Sequence, residues 1–106
     1  MKYISIETTF KNKTDAERII KILLNNHLVA CGQYYPITSI YNWKNKEHKE
    51  NETLLILKTK AKFYKECEQL IKQNHPYITP QITVLEINGN KEYLDWIDKS
   101  TNNSKD

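Results

Sequence analysis

The chain has 106 residues, which is enough for one domain with a buried core but too few for two. Its 16 Lys and Arg residues against 13 Asp and Glu give a net charge of +3, interleaved along the chain, which gives no support to nucleic-acid binding. A mean hydropathy of −0.73 without a long apolar run excludes a transmembrane helix, and no secretory signal is visible. The 2 cysteines are too few for a disulfide scaffold, so we expect a small, soluble, cytoplasmic protein.

The amino-terminal part of the chain predicts a strand followed by an amphipathic helix. Residues 2–9 alternate between apolar and polar side chains, which is typical of a strand. Thr14 and Glu17 have the spacing of a capping box, in which each side chain satisfies a free backbone N–H at the start of a helix. Apolar residues then recur at helical spacing, so we expect a helix over 15–27.

A long hairpin is predicted next. Residues 28–43 are rich in Val, Ile, Thr, Tyr and Trp, which favours a strand, but Pro36 lacks a backbone N–H and requires an edge position or a bulge. The charged segment 44–51 is predicted to form the tip of the hairpin. The returning strand is predicted over 52–59, and it contains the apolar run 54–57.

The rest of the chain predicts a second helix, a strand and a short helix. Apolar spacing indicates a helix over 61–74, and two prolines make the following segment, 75–80, irregular. A strand over 81–87 and a short helix over 91–98 complete the elements. The polar tail 100–106 is predicted to be frayed.

This order of elements is that of a ferredoxin-like βαββαβ sandwich of the α+β class, predicted as a single domain over 1–99. Two helices cover one face of its four-stranded sheet. The other face stays apolar because the run 54–57 is apolar on both faces, and one of the neighbours Tyr34 and Tyr35 must point away from the core. Such a patch exceeds what monomers expose, so we expect a homo-oligomer. The alternative is that the helix over 91–98 folds back over the sheet, but it is too short to cover the face.

The sequence carries no motif of a catalytic or nucleotide-binding class. With 2 Gly the chain cannot form a glycine-rich phosphate loop, and no nucleophile motif is present, so we expect no enzyme activity. His75 ends a predicted helix, where capping of carbonyl groups is favoured about three to one over a metal or ligand role. Glu52 and Lys58 share one face of a strand, and an intersubunit cleft that also contained Tyr41 and Trp43 could hold an anion or a small ligand.

Five segments in a fixed order resemble the CutA family, the proteins named for divalent-cation tolerance. The segments are Leu28-Val29-Ala30-Cys31, Pro36-x-Thr38-Ser39-x-Tyr41-x-Trp43, Glu52-x-x-Leu55-x-x-Lys58-Thr59, Asn74-His75-Pro76-Tyr77-x-x-Pro80 and Tyr93-Leu94-x-Trp96-Ile97. The resemblance implies a ferredoxin-like fold, a cytosolic trimer packed sheet to sheet, and a link to divalent metal ions, copper above all. It implies no established catalysis.

The resemblance also implies site residues. His75 is the surest candidate metal ligand, with Glu7 where some members place a cysteine, so copper or zinc is the expected ion. An intersubunit cleft is expected to be lined by Tyr41, Trp43, Glu52, Lys58 and Tyr77. Ile78 stands where members often carry Glu or Gln, which removes one oxygen donor. Two alternatives remain open: a signalling trimer of the PII type that binds a small ligand in this cleft, and a purely structural assembly.

Overall fold

The computed structural model describes residues 2–101, which form four strands and three helices. The elements are β1 (Tyr3–Phe10), α1 (Lys13–Asn25), β2 (Cys31–Trp43), β3 (Lys46–Lys60), α2 (Tyr64–Asn74), β4 (Thr83–Ile87) and α3 (Lys91–Ser100), with a short 3₁₀ turn (Ala61–Phe63) before α2. The strands form one antiparallel sheet in the order β2-β3-β1-β4. The ferredoxin-like α+β prediction is therefore confirmed.

One face of the sheet packs against α1 and α2 and forms the core. The register pairs Ile6 of β1 with Leu57 of β3, and Thr8 with Leu55, so these four side chains point to the same face. All four are fully buried. The core is completed from the helices by Ala16, Ile19, Leu23, Cys67 and Ile71.

The opposite face, which we call the open face, is only partly covered. Residues two apart on β3 point to it, including Glu52, Leu54 and Lys58. Helix α3 packs over one end, where the Tyr93 hydroxyl lies 3.5 Å from the Lys58 ammonium. Tyr35 remains 49% exposed, because one ten-residue helix cannot cover a four-stranded sheet. The expectation that the third helix covers too little is confirmed.

The neighbouring tyrosines of β2 divide between the two faces as expected. Tyr34 points toward the helices, and its hydroxyl donates to the carboxylate of Glu17 on α1. Tyr35 pairs with Leu54 across the hairpin and points to the open face. Pro36 was expected at an edge position or a bulge. It lies on the edge strand β2, whose register with β3 continues through Pro36 without a bulge, so the edge position is the one observed.

The start of α1 differs from the prediction. Asn12 is the N-cap, and its side chain accepts a hydrogen bond of 2.9 Å from the backbone N–H of Asp15. Thr14 lies inside the first turn, so the predicted capping box with Glu17 is wrong. The amide oxygen of Asn12 satisfies the same kind of free donor two residues earlier, and the helix ends at Asn25 rather than at 27.

The hairpin tip is much tighter than predicted. Only Lys44 and Asn45 form the turn, with positive φ angles of 54° and 63°, as a two-residue hairpin turn requires. Most of the predicted loop over 44–51 is therefore strand, because β3 already begins at Lys46. Backbone pairing with β2 continues to Trp43, although this part of the hairpin buries few side chains.

The carboxyl-terminal boundary also lies later than predicted. Helix α3 continues to Ser100, and Thr101 is fully buried with its hydroxyl donating to the Ile97 carbonyl at 2.7 Å. These two residues belong to the packed structure rather than to a frayed tail. The rest of the predicted tail, 102–106, lies outside the described residues.

Gly32 allows β2 to approach α1 closely, and we expect its replacement by alanine to be destabilising. A Cβ atom at this position would lie 2.5 Å from Cγ1 of Ile20 and 2.8 Å from its Cδ1. We expect Gly32→Ala to lower the free energy of unfolding by about 1–3 kcal/mol, measured by urea denaturation. Gly89→Ala is the matched control, since no heavy atom lies within 4 Å of its added Cβ. Equal stability of both variants would contradict this packing argument.

Candidate functional site

A cleft of about 440 Å³ opens on the open face, between the outer part of the β2–β3 hairpin and the segment after α2. Six of its lining side chains are aromatic or acidic, namely Tyr41, Trp43, His48, Glu50, Glu52 and Tyr77. The lining is completed by Thr9, Lys11, Ile78, Thr79 and Gln81. The volume lies within the range of small-molecule sites in proteins.

The tight hairpin turn sets which residues meet in the cleft. With two residues in the turn, Tyr41 pairs with His48, and both point to the open face. Their rings stack with centroids 5.5 Å apart and an interplanar angle of 16°. His48 Nε2 lies 3.3 Å from the Trp43 carbonyl oxygen, and the Tyr41 hydroxyl donates to the carboxylate of Glu50.

Two tyrosine hydroxyls hold the two carboxylates of the cleft. The Tyr77 hydroxyl donates to Glu52 Oε2 at 2.7 Å, which ties the segment after α2 to β3. The hydrogen bond to Glu50 raises the pKa of Tyr41 to about 12. Burial, and then the hydrogen bond to Glu52, raise the pKa of Tyr77 above its ordinary value. Both phenols therefore stay protonated donors, and both carboxylates act as acceptors.

His75 lies behind Tyr77 and makes hydrogen bonds through both ring nitrogens. Nε2 donates to the Thr9 carbonyl at 2.8 Å, and Nδ1 accepts from the Tyr77 backbone N–H at 3.1 Å. The ring stacks on Phe10 with centroids 4.3 Å apart. Burial lowers the pKa of His75, which favours this neutral tautomer.

The predicted metal ligands do not form a metal site within one protomer. A cation at His75 would have to break one of the two ring-nitrogen hydrogen bonds. Glu7 points to the open face, whereas the ring of His75 packs on Phe10, whose side chain belongs to the helix-covered face. Within residues 2–101, no three His, Cys, Asp or Glu side chains are grouped to hold an ion. The donor set on this chain alone does not fit copper or zinc.

Comparison with known proteins identifies the family. The family model described as "CutA1 divalent ion tolerance protein" matches residues 4–100. The chain belongs to the CutA1 family. The resemblance on the five ordered segments is thus confirmed, and with it the divalent-cation tolerance family.

Individual relatives match this CutA1 chain over nearly its whole length. The divalent-cation tolerance protein CutA of Thermus thermophilus is 37% identical over 95 residues, covering 88% of this chain and 92% of that protein. The solved structure of the "periplasmic divalent cation tolerance protein CutA" from Archaeoglobus fulgidus has a TM-score of 0.91 at 37% identity, covering 93% and 98% of the two chains. CutA1 from Ehrlichia chaffeensis has a TM-score of 0.89 at 36% identity, covering 95% and 97%.

These relatives are named as tolerance proteins rather than as enzymes, and they give no support to the alternative of a PII-type signalling module. No helix among residues 2–101 of this CutA1 chain is long and apolar enough to cross a membrane.

The structure separates Lys58 from the other predicted cleft residues. Tyr41, Trp43, Glu52 and Tyr77 line the same cleft. Lys58 is six residues from Glu52 along an extended strand, about 20 Å away. There its ammonium lies 5.3 Å from the ring centroid of Tyr93 on α3.

Two residues that line the cleft of this CutA1 chain, Glu50 and His48, are not among the site residues predicted from the sequence. Both were assigned to the predicted hairpin tip, where side chains are ordinarily solvated. The available signal was Lys44-Asn45 as a two-residue turn, because that turn would have placed His48 opposite Tyr41.

Proposed function

We propose that this CutA1-family chain acts without catalysis in the tolerance of the cytoplasm to divalent cations such as copper or zinc, and that it acts as a homotrimer. The match of residues 4–100 to the CutA1 family carries the tolerance role, and the observation that carries the assembly is the apolar and aromatic surface left on the open face. Tyr35 is 49% exposed, Trp43 is 43% exposed and Leu85 is 54% exposed. Large apolar and aromatic side chains exposed on one face of a sheet are typical of a protein–protein interface.

The shape of the hairpin supports the same proposal. Paired strands β2 and β3 extend well beyond the helices, and the molecule measures 49 Å along its longest axis against 21 Å along its shortest. Few side chains of the outer hairpin are buried within one protomer. Burial against neighbouring copies would cover both the hairpin and the open face, and it would make the cleft an intersubunit one.

Two observations support the absence of catalysis. The Cys67 thiol is buried in the core, and burial raises its pKa to about 12, so it is a poor nucleophile at neutral pH. His75 has both ring nitrogens engaged by the backbone, which leaves neither nitrogen free to act as a general base.

Solution mass tests the homotrimer. We expect sedimentation equilibrium of the wild-type chain to give three times the 12.6 kDa chain mass at micromolar concentration. Leu85→Glu, which places a charge on the open face, is expected to dissociate the trimer. Leu24→Glu is the matched control, because Leu24 is 39% exposed on α1, on the helix-covered side. A monomeric or dimeric wild type, or equal dissociation of both variants, would contradict the proposal.

Metal binding through His75 is tested separately. We expect Cu(II) and Zn(II) calorimetry at neutral pH to give the same affinity for wild type and His75→Gln, because the ring nitrogens are already occupied by Thr9 and Tyr77. Glu7→Gln reports on the second predicted ligand in the same titration. Micromolar binding that disappears in His75→Gln would instead place the ion at His75 and require the hydrogen bonds there to open.

A further inference from the structure

We propose that the cleft binds an organic cation, an alkylammonium group attached to an apolar or aromatic body. This inference deepens the proposed function by naming a ligand class for the cleft. Every residue used below belongs to one protomer. The inference rests on the proposed homotrimer only because neighbouring copies would surround the cleft.

The charge of the cleft favours a cation. Glu50 and Glu52 both line it, and no Lys or Arg side chain among residues 2–101 forms an ion pair with either carboxylate. Their partners are instead the neutral phenols of Tyr41 and Tyr77. Each phenol uses one acceptor position, so carboxylate oxygens remain available for an N–H donor. Lys11 also lines the cleft, and solvent screens its charge and that of Glu50 because both side chains are exposed. The half-buried carboxylate of Glu52 is screened less and contributes most of the negative charge.

The walls of the cleft favour an organic cation over a bare ion. The side chains of Trp43, Tyr41, His48 and Tyr77 line the same space, and the rings of Tyr41 and His48 stack on each other. Aromatic faces attract ammonium groups through their quadrupole, and they also bury an attached apolar body. Two carboxylates beside aromatic rings therefore match both parts of such a ligand.

Two other ligand classes fit less well. A divalent metal ion needs several oxygen or nitrogen ligands in close geometry, and the described residues form no group of three metal-ligating side chains. An anion would meet two carboxylates without a buried cation to offset them.

Fluorescence of Trp43 provides the test. Trp96 is the second of the 2 tryptophans, so Trp96→Phe leaves Trp43 as the reporter inside the cleft. Phenethylammonium is the probe, with phenethyl alcohol as its neutral analogue and phenylpropanoate as its anionic analogue. We expect saturable binding of the ammonium, at least about tenfold tighter than the alcohol, and no saturable binding of the carboxylate.

Variants without the two carboxylates test whether Glu50 and Glu52 bind the ammonium group. The double variant Glu50→Gln and Glu52→Gln is expected to weaken phenethylammonium binding by at least about tenfold. Glu47→Gln is the matched control, because Glu47 is exposed on the same strand but points to the other face. Equal binding of the alcohol, an unchanged affinity in the double variant, or displacement of the probe by equimolar Zn(II) would overturn the inference.

The same samples separate this inference from the proposed function. Sedimentation is measured on each protein with and without the probe. A monomer that binds phenethylammonium contradicts the homotrimer and supports the cation site. A trimer that does not bind phenethylammonium supports the homotrimer and overturns the cation site.

Discussion

Replacing Leu55 with alanine is expected to lower the free energy of unfolding by about 2–5 kcal/mol. Leu55 is fully buried and pairs with Thr8 at the centre of the sheet, on the face covered by α1 and α2. Its truncation removes apolar contacts and leaves a cavity that a packed sheet cannot fill. Urea denaturation followed by circular dichroism measures the loss at a fixed protein concentration, since unfolding of an oligomer depends on concentration.

Leu54→Ala is the matched control for this prediction. Leu54 is the preceding residue, carries the same side chain, and points to the open face, where it is only half-buried. We expect this variant to lower the association constant of the proposed homotrimer while leaving the core of each subunit intact. If Leu54→Ala destabilised the subunit as much as Leu55→Ala, the assignment of the two faces would be wrong.

The two-sided apolar run from Leu54 to Leu57 was the most informative part of the sequence. Helices on one face can bury only alternate residues of a strand, so the run required a second covered face. The order of elements then predicted the fold, because few topologies bring four strands and two helices together in that order. Both inferences depend on patterns that extend over many residues. A wrong assignment of a single residue therefore does not change the predicted fold.

The boundaries of the helices and strands depend on single residues, and the predicted start of α1 and the predicted start of β3 were wrong. Polar residues on both faces of a strand look like a loop, yet the outer hairpin is held by backbone pairing and the turn at Lys44 and Asn45. At α1, Asn12 and Thr14 could both cap a helix, and local sequence did not distinguish them.

Four of the five residues that the resemblance places in an intersubunit cleft line one cleft of this protomer, namely Tyr41, Trp43, Glu52 and Tyr77. The position of that cleft between subunits stays a prediction. Lys58 lies about 20 Å from Glu52 along β3, where its ammonium contacts Tyr93 on α3, which is 35 residues away in sequence. Pairings across such distances arise from the tertiary fold, so spacing along the chain does not reveal them.

His75→Ala is expected to lower the free energy of unfolding by about 2–4 kcal/mol and to loosen Tyr77. The ring joins the Thr9 carbonyl to the Tyr77 backbone N–H and stacks on Phe10. Its removal leaves both backbone groups without this partner and opens a gap beside Phe10. Because Tyr77 holds Glu52, the cleft should lose order as well, which limited proteolysis after α2 and amide exchange at residue 77 would detect.

The contribution of His75 to stability should also depend on pH. Burial lowers the pKa of His75 in the folded chain, although the hydrogen bond to Thr9 and the charge of Asp15 oppose this effect. The unfolded chain therefore takes up the proton first as the pH falls. The stabilisation is fully present above the unfolded pKa of about 6.5 and is lost progressively as the pH falls toward the folded value.

His75→Gln distinguishes the hydrogen bonds from the titration. A glutamine amide can still donate to the Thr9 carbonyl, but it has no ring to stack on Phe10 and no proton to gain in this range. We expect it to lose less stability than His75→Ala at pH 8 and to approach wild type as the pH falls below about 6.5. A gap between wild type and His75→Gln that stayed constant from pH 8 to pH 5 would contradict a neutral, buried His75. It would then follow that the ring takes up its proton equally well in the folded and the unfolded chain, so that its contribution does not depend on pH.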